Sequence, residues 1–181
     1  ELYLGGITGY ILDPAIKIEN NVQANASDLK AGGKGLYAYV GGLAGYVDEE
    51  TTVSFDFSKD AGTFAGTICV GNCEAKSTAF TAAGGIIGYS YSPISIANAL
   101  YNGTITVDIT DTTTGDHIAV GSIIGWAESA LTLTSSTNVG ELNIPKTTVI
   151  PKAKMSLGGL VGLCKTDATI KSCTNTMNVE F

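Results

Sequence analysis

The sequence predicts an all-β protein, a right-handed parallel β-solenoid (β-helix) of about five coils, and three observations predict it. A Gly-small-aliphatic-x-Gly-aromatic motif returns five times: Gly5-Gly6-Ile7-Thr8-Gly9-Tyr10, Gly41-Gly42-Leu43-Ala44-Gly45-Tyr46, Gly84-Gly85-Ile86-Ile87-Gly88-Tyr89, Gly121-Ser122-Ile123-Ile124-Gly125-Trp126 and Gly158-Gly159-Leu160-Val161-Gly162-Leu163. Its first glycines are 36, 43, 37 and 37 residues apart, and near-constant spacing of this length marks a repeat architecture. Each motif is followed by short runs in which apolar and polar residues alternate, the period of a strand with one buried face. The composition agrees: 23 glycines, 44% hydrophobic and only 15% charged residues suit strands and turns and disfavour helices, which want Glu, Lys, Ala and Leu.

The glycine motif is the first strand of each coil. Its repeat-core positions are Gly5, Gly9, Gly41, Gly45, Gly84, Gly88, Gly121, Gly125, Gly158 and Gly162. Glycine weakens a strand through entropy, so its fivefold return implies close backbone approach or tight bends. The closing Tyr10, Tyr46, Tyr89 and Trp126 are expected to stack as an aromatic ladder that ends at Leu163. Core and corner packing is the plain reading of that ladder, and an exposed strip for sugar stacking is the other.

Second strands are expected at Ile16-Lys17-Ile18, Val53-Ser54-Phe55, Ile94-Ser95-Ile96, Leu131-Thr132-Leu133 and Ala168-Thr169-Ile170. Third strands follow at Gly62-Thr63-Phe64, Gly103-Thr104-Ile105, Gly140-Glu141-Leu142 and Met177-Asn178-Val179, with Asn25-Ala26-Ser27 in that place in the first coil. Gly and Asn at these corners tolerate the left-handed conformation a sharp turn needs. Three short strands per coil, stacked as parallel sheets, leave residues over in each repeat. They are expected as loops at Lys30 to Gly35, Gly71 to Phe80, Thr110 to His117 and Pro145 to Lys154, all protruding on one side. The chain is expected to be one domain, 1–181, with repeats of about 1–36, 37–79, 80–116, 117–153 and 154–181.

The Gly-Gly-Leu-Val-Gly core at Gly158 to Gly162, with its variants at Gly41 and Gly84, resembles the GLUG motif. That motif typically continues into an Ile-x-Asn-rich strand and then a Gly-x-Val/Ile strand. Ile94-Ser95-Ile96-Ala97-Asn98 and Gly103-Thr104-Ile105-Thr106-Val107 match that continuation. The resemblance covers all five repeats and departs from the pattern in the longer repeats here and in Ser122, which replaces the second glycine. It implies a large secreted or cell-surface protein, often an adhesin, in which the repeats form a stalk or scaffold. It implies no catalytic residues.

Residues in patterns that carry chemistry are few. Net charge is −7 with an isoelectric point near 4.5, and the absence of a basic cluster speaks against nucleic acid and anionic membrane as partners. No segment has the apolar length for membrane insertion as a helix. The one histidine, His117, is expected as a solvated residue of the loop Thr110 to His117, and Asp116-His117-Ile118 carries no nucleophile motif. Gly32-Gly33-Lys34-Gly35 lacks phosphate-loop spacing. Asp48-Glu49-Glu50, Asp108, Asp111 and Asp116 read as solvated charge, with weak calcium binding the other reading. Thr104-Ile105-Thr106 and Thr132-Leu133-Thr134 lie on different strands, against a flat ice-binding ladder. The four cysteines have no zinc-site spacing and no partner histidines. Disulfides Cys69–Cys73 and Cys164–Cys173 are expected, with free thiols and metal ligation as the other readings. No metal or cofactor is expected, and no enzymatic activity.

Two sequons, Asn25-Ala26-Ser27 and Asn102-Gly103-Thr104, mark possible N-glycosylation at Asn25 and Asn102. With the low charge and the abundant Thr and Ser, they favour an extracellular or cell-surface setting. The first motif starts at Gly5 and the last strand ends at Phe181, which leaves no room for caps, so the chain is expected to meet neighbouring repeats or other copies head to tail. The function expected is an extracellular structural or adhesive repeat protein, the subunit of a surface fibre or stalk assembled through its ends. The loops could then serve as a contact face for a host or cell-surface ligand. The alternative is a carbohydrate-binding or carbohydrate-cleaving β-helix, with glycans as partners.

Overall fold

The computed structural model describes residues 1–12, 24–34, 38–48, 53–57, 62–74, 80–108, 117–145 and 154–180, and side chains are described for most of these. All regular structure among them is strand. The first repeat carries β1 (Leu2–Gly5), β2 (Thr8–Ile11) and β3 (Ala24–Lys34). The second carries β4 (Ala38–Gly41), β5 (Ala44–Val47), β6 (Val53–Asp56) and β7 (Gly62–Glu74). The third carries β8 (Phe80–Gly84), β9 (Ile87–Ser90), β10 (Ile94–Ala97), β11 (Ala99–Tyr101) and β12 (Thr104–Asp108). The fourth carries β13 (His117–Gly121), β14 (Ile124–Ala127), β15 (Leu131–Thr134), β16 (Thr137–Asn138) and β17 (Glu141–Asn143). The fifth carries β18 (Lys154–Gly158), β19 (Val161–Cys164), β20 (Ala168–Lys171), β21 (Thr174–Asn175) and β22 (Asn178–Glu180).

These strands form four sheets, and each sheet takes its neighbours from successive repeats: β1-β4-β8-β13-β18, β2-β5-β9-β14-β19, β6-β10-β15-β20, and an eight-stranded sheet that contains β3, β7 and the pairs β11/β12, β16/β17 and β21/β22. Every pairing is parallel, as in β10 with β15, where Ile94 faces Leu131 and Ile96 faces Leu133. An all-parallel set of this kind is consistent with a β-solenoid.

The strand count corrects the three per repeat read from the sequence. The glycine motif is two strands, because the chain folds back sharply between them. A Cβ on Gly5 would run into the backbone of Thr8, and one on Gly84 into that of Ile87. The bend is itself part of the stack: Gly6 N donates to Gly41 O at 3.1 Å and Thr8 N to Leu43 O at 2.9 Å. The two strands then lie backbone to backbone. A Cβ on Gly125 would sit 2.6 Å from Gly88 O and 2.7 Å from Ala83 N and O, and one on Gly45 would sit 2.7 Å from Leu4 N and Tyr39 O. No L side chain fits there, which is the physical reason the motif's last glycine recurs.

The second glycine of the motif makes room for a column from the eight-stranded sheet. A Cβ on Gly85 would meet the Tyr101 ring, and one on Gly159 the Asn175 side chain. Tyr101, Asn138 and Asn175 are partners in register. Ser122, the departure noted in the sequence, keeps the stack by bonding instead of vanishing: its Oγ donates to Gly159 O, which also accepts from Asn138 Nδ2 at 2.9 Å. Tyr101 is buried, and its hydroxyl has no hydrogen-bond partner among the described residues. Burial raises its pKa.

Sheet to sheet, the third corner is a left-handed residue in three repeats: Asn98 (φ 58°), Ser135 (φ 48°) and Ser172 (φ 54°). Asn98 is the asparagine of the motif's Ile-x-Ile-x-Asn continuation, and its Nδ2 also donates to Asp56 Oδ1 at 2.8 Å. Inside, the apolar alternation forms continuous columns, such as Phe55, Ile96 and Leu133. Burying each such side chain stabilises the fold by about 2 kcal/mol.

Two of the expected loops begin as strand. Lys30 to Lys34 belongs to β3 and Gly71 to Glu74 to β7, and the two pair, Lys30 opposite Cys69 and Lys34 opposite Glu74. The remaining loop residues 35, 75–79, 110–116 and 146–153, like the predicted strand Ile16-Lys17-Ile18, lie outside the described residues.

Candidate functional site

The most organised cluster of functional side chains lies where the two strands of the motif fold against each other. The register of β2, β5, β9, β14 and β19 makes Tyr10, Tyr46, Tyr89, Trp126 and Leu163 successive partners. Tyr10 and Tyr46 stack at 5.1 Å, Tyr46 and Tyr89 at 4.9 Å, and Tyr89 meets Trp126 at 5.9 Å. A second pair, Tyr3 and Tyr39, stacks at 5.6 Å and meets the first column edge-on. The sequence reading missed this pair. Its signal was an aromatic two residues before the first glycine, present at Tyr3 and Tyr39 and replaced by Ala82, Ala119 and Ser156 in later repeats. Trp126 is buried, Tyr89 borders on it, and Tyr3, Tyr10 and Tyr46 are half-buried.

Two residues beyond each ring is a further column, Leu12, Asp48, Tyr91, Glu128 and Lys165, aligned by backbone bonds such as Glu128 N to Ser90 O and Lys165 N to Ala127 O, both involving adjacent repeats. Its carboxylates satisfy the rings. Tyr10 donates to Asp48 Oδ2 at 3.1 Å. Glu128 Oε2 accepts from both Tyr89 (3.2 Å) and Trp126 Nε1 (2.9 Å). Lys165 Nζ bonds Glu128 Oε1 at 2.8 Å and stands 5.1 Å from the Trp126 ring centroid. Tyr3 donates to Glu1. That bond, with burial behind it, pushes the Tyr3 phenol up to about 12. Burial first and the Glu128 charge second raise Tyr89, and burial with Asp48 raises Tyr46. These phenols therefore stay protonated at neutral pH. Asp48, expected as a solvated charge, is a hydrogen-bond acceptor here, while Glu49 and Glu50 lie outside the described residues.

His117 corrects the loop reading. It opens β13, its ring meets Trp126 edge-on at 5.0 Å, and Nε2 lies 2.9 Å from Ser156 Oγ. Burial, then the charges of Lys154 and Lys165, lower its pKa. The ring is neutral at pH 7.

The expected Cys164–Cys173 bridge is not formed, and both thiols are free. Each stands in a different column. Cys164 stands in register with Ala127 and Ser90, and it donates to Thr166 O as Ser90 donates to Ser92 O. Cys173 follows Ser136, and it donates to Lys171 O as Ser136 donates to Thr134 O. Cys69 and Cys73 lie in one strand, β7. The pairing of β7 with β3 is irregular between Val70 and Cys73, and the side chains of the expected Cys69–Cys73 bridge lie outside those described.

Asn102 is exposed at a corner, on the rim of a groove of about 220 Å³ lined by Asn102, Gly103, Thr104, Val139, Gly140 and Glu141. Asn25 lies within β3, opposite Ala65. Gly33 and Lys34 are strand residues of β3, and Asp108 ends β12, whereas Gly35, Asp111 and Asp116 lie outside the described residues. Among the described residues no group of three or more His, Cys, Asp or Glu could hold a metal ion, and no helix is long and apolar enough to cross a membrane.

No protein-family model, curated protein or solved structure matches this chain. The arrangement itself shows a column of rings locked by carboxylates, with the Trp126 face covered.

Proposed function

We propose that the chain is a right-handed, five-coil β-solenoid that serves as an extracellular structural or adhesive repeat protein, a length of surface fibre or stalk without catalytic activity. The observation that carries this reading is the state of the last repeat. Phe55, Ile96 and Leu133 are at most 1% exposed, yet Ile170, next in the same column, is 49% exposed. Ile105 and Leu142 are 1% exposed and their successor Val179 is 37% exposed. A rung with apolar interior positions and an unpaired parallel edge is built to be covered, by a further repeat or by the first repeat of another copy. Head-to-tail covering does not close, so copies joined this way make a filament. The exposed Asn102 supports the extracellular setting and is the acceptor we assign to N-glycosylation.

The isolated chain is expected to associate as its concentration rises, and the double variant Ile170→Lys, Val179→Lys to sediment as a monomer of unchanged circular dichroism. A wild-type chain that stays monomeric at every concentration sinks the head-to-tail part of the reading.

The second reading, a carbohydrate-binding β-helix, draws on Tyr91. It is 55% exposed and stands between Asp48 and Glu128 in its column, an aromatic platform with an acceptor on either side. A glycan whose binding is lost in Tyr91→Ala would favour it.

A further inference from the structure

The ring column has a feature that packing does not need: Tyr89 and Trp126 donate to the same oxygen, Glu128 Oε2. We propose that the column is a one-electron oxidation relay, which passes an oxidising equivalent taken up at Trp126 to Tyr89 and on through Tyr46 to Tyr10, with Glu128 exchanging the protons. The oxidant is a diffusible one-electron oxidant, such as a hydroxyl- or peroxyl-type radical.

In the first step the oxidant takes one electron from the Trp126 indole, and the Nε1 proton passes to Glu128 Oε2. The Lys165 ammonium near the ring disfavours an indole radical cation and so favours loss of the proton. In the second step one electron crosses from the Tyr89 ring to the Trp126 radical over 5.9 Å. The Tyr89 phenolic proton goes to Glu128 Oε2 while the proton held by Glu128 returns to Trp126 Nε1. The indole is restored, Glu128 is left as the carboxylic acid holding the proton that came from Tyr89, and the products are a Tyr89 phenoxyl radical and the reduced oxidant. Both proton distances, 3.2 and 2.9 Å, are within transfer reach.

Beyond Tyr89 the path is short and stacked, 4.9 Å to Tyr46 and 5.1 Å to Tyr10, with ring planes 14° and 5° apart. In the third step an electron crosses from Tyr10 to Tyr89 through the stacked Tyr46 ring, which keeps its proton; the Tyr10 proton goes to Asp48 Oδ2 and Glu128 returns its proton to the Tyr89 oxygen, so the radical ends on Tyr10 and Glu128 is again a carboxylate. The protonated state of the buried phenols makes such acceptors a requirement, since a phenol that keeps its proton is a poor electron donor. The relay moves damage from a buried indole to a half-buried tyrosine three repeats away.

The sequence has a single tryptophan, so the step can be watched directly. Pulse radiolysis of the full chain with the azidyl radical generates the indolyl radical at Trp126. Its absorbance is expected to decay into that of a tyrosyl radical, in a first-order phase whose rate does not change with protein concentration. Tyr89→Phe keeps the ring and removes the phenol, and the first-order phase is expected to disappear. Glu128→Gln is expected to slow it by about tenfold or more, through loss of the proton acceptor. Tyr101→Phe, in the core and outside the stack, is expected to leave it unchanged. Trp126 fluorescence and circular dichroism establish that each variant is folded, and if Tyr89→Phe is not, Glu128→Gln carries the test. Decay that is second order in protein, or a first-order phase that survives in folded Tyr89→Phe, overturns the relay. An unchanged rate in Glu128→Gln overturns the role of the shared oxygen.

Discussion

Gly125→Val is expected to be the most damaging single substitution in the chain, with a loss of about 3 kcal/mol or more, at or beyond the upper end of what overpacking costs. The neighbours of the added Cβ are Gly88 O, Ala83 N and Ala83 O, at 2.6 to 2.7 Å. All three are backbone, so no side chain can rotate away. β14 must move away from β8 in the facing sheet and from β9 beside it, and the column through Ile87, Ile124 and Val161 opens with it. Gly125→Ala places the same Cβ and is expected to lose most of that stability, which distinguishes steric exclusion from a loss of glycine's backbone freedom. Chemical denaturation checks it: the midpoint should fall sharply in both variants. A midpoint within error of wild type for Gly125→Ala would show that the two strands of the motif are not packed backbone to backbone.

Asn138→Ala is expected to cost about 3 kcal/mol through unsatisfied buried groups. Asn138 is fully buried. Its Oδ1 accepts from Gly140 N at 2.9 Å, and its Nδ2 donates to Gly159 O at 2.9 Å and Asn175 Oδ1 at 2.8 Å. One side chain thus holds the corner before β17, the bend of the fifth repeat and the next member of its own column. Truncation strands the Gly140 N–H in the interior and leaves Gly159 O with Ser122 alone. Val139→Ala, at the exposed neighbouring position, should be close to neutral in the same denaturation experiment. Equal small losses for the two would mean that the asparagine column does not carry the corner.

Much of this was legible in the sequence wherever the cause is local. Glycine at alternate positions of a strand has few explanations, and the steric exclusion at Gly45, Gly88, Gly125 and Gly162 is one that was expected. The aromatic column followed from a fixed offset to the glycines, but the left-handed residues Asn98, Ser135 and Ser172 did not, because such corners were expected at Asn25 and at the third-strand glycines. What escaped was decided by partners far along the chain. Gly71-Asn72-Cys73 reads as a loop by composition, but its pairing with Lys30 to Lys34 makes it strand. Cys164 and Cys173 are close in sequence and look like a pair. Only the register shows that they stand in separate columns, Cys164 after Ser90 and Ala127 and Cys173 after Ser136. His117 looked isolated because Trp126 and Ser156, which hold it, belong to other strands. Glu128 was unremarkable until the stack placed two ring donors on one of its oxygens.

The account's central claim is that rungs of this kind stack on one another through their open edges. Cryo-electron microscopy of native material that contains the chain tests it most directly. The claim predicts filaments or stalks with rungs spaced about 4.8 Å along the axis, the distance between paired strands, and successive glycine motifs in register. Native particles that are discrete and globular, with the edge of the last repeat bare, would contradict it.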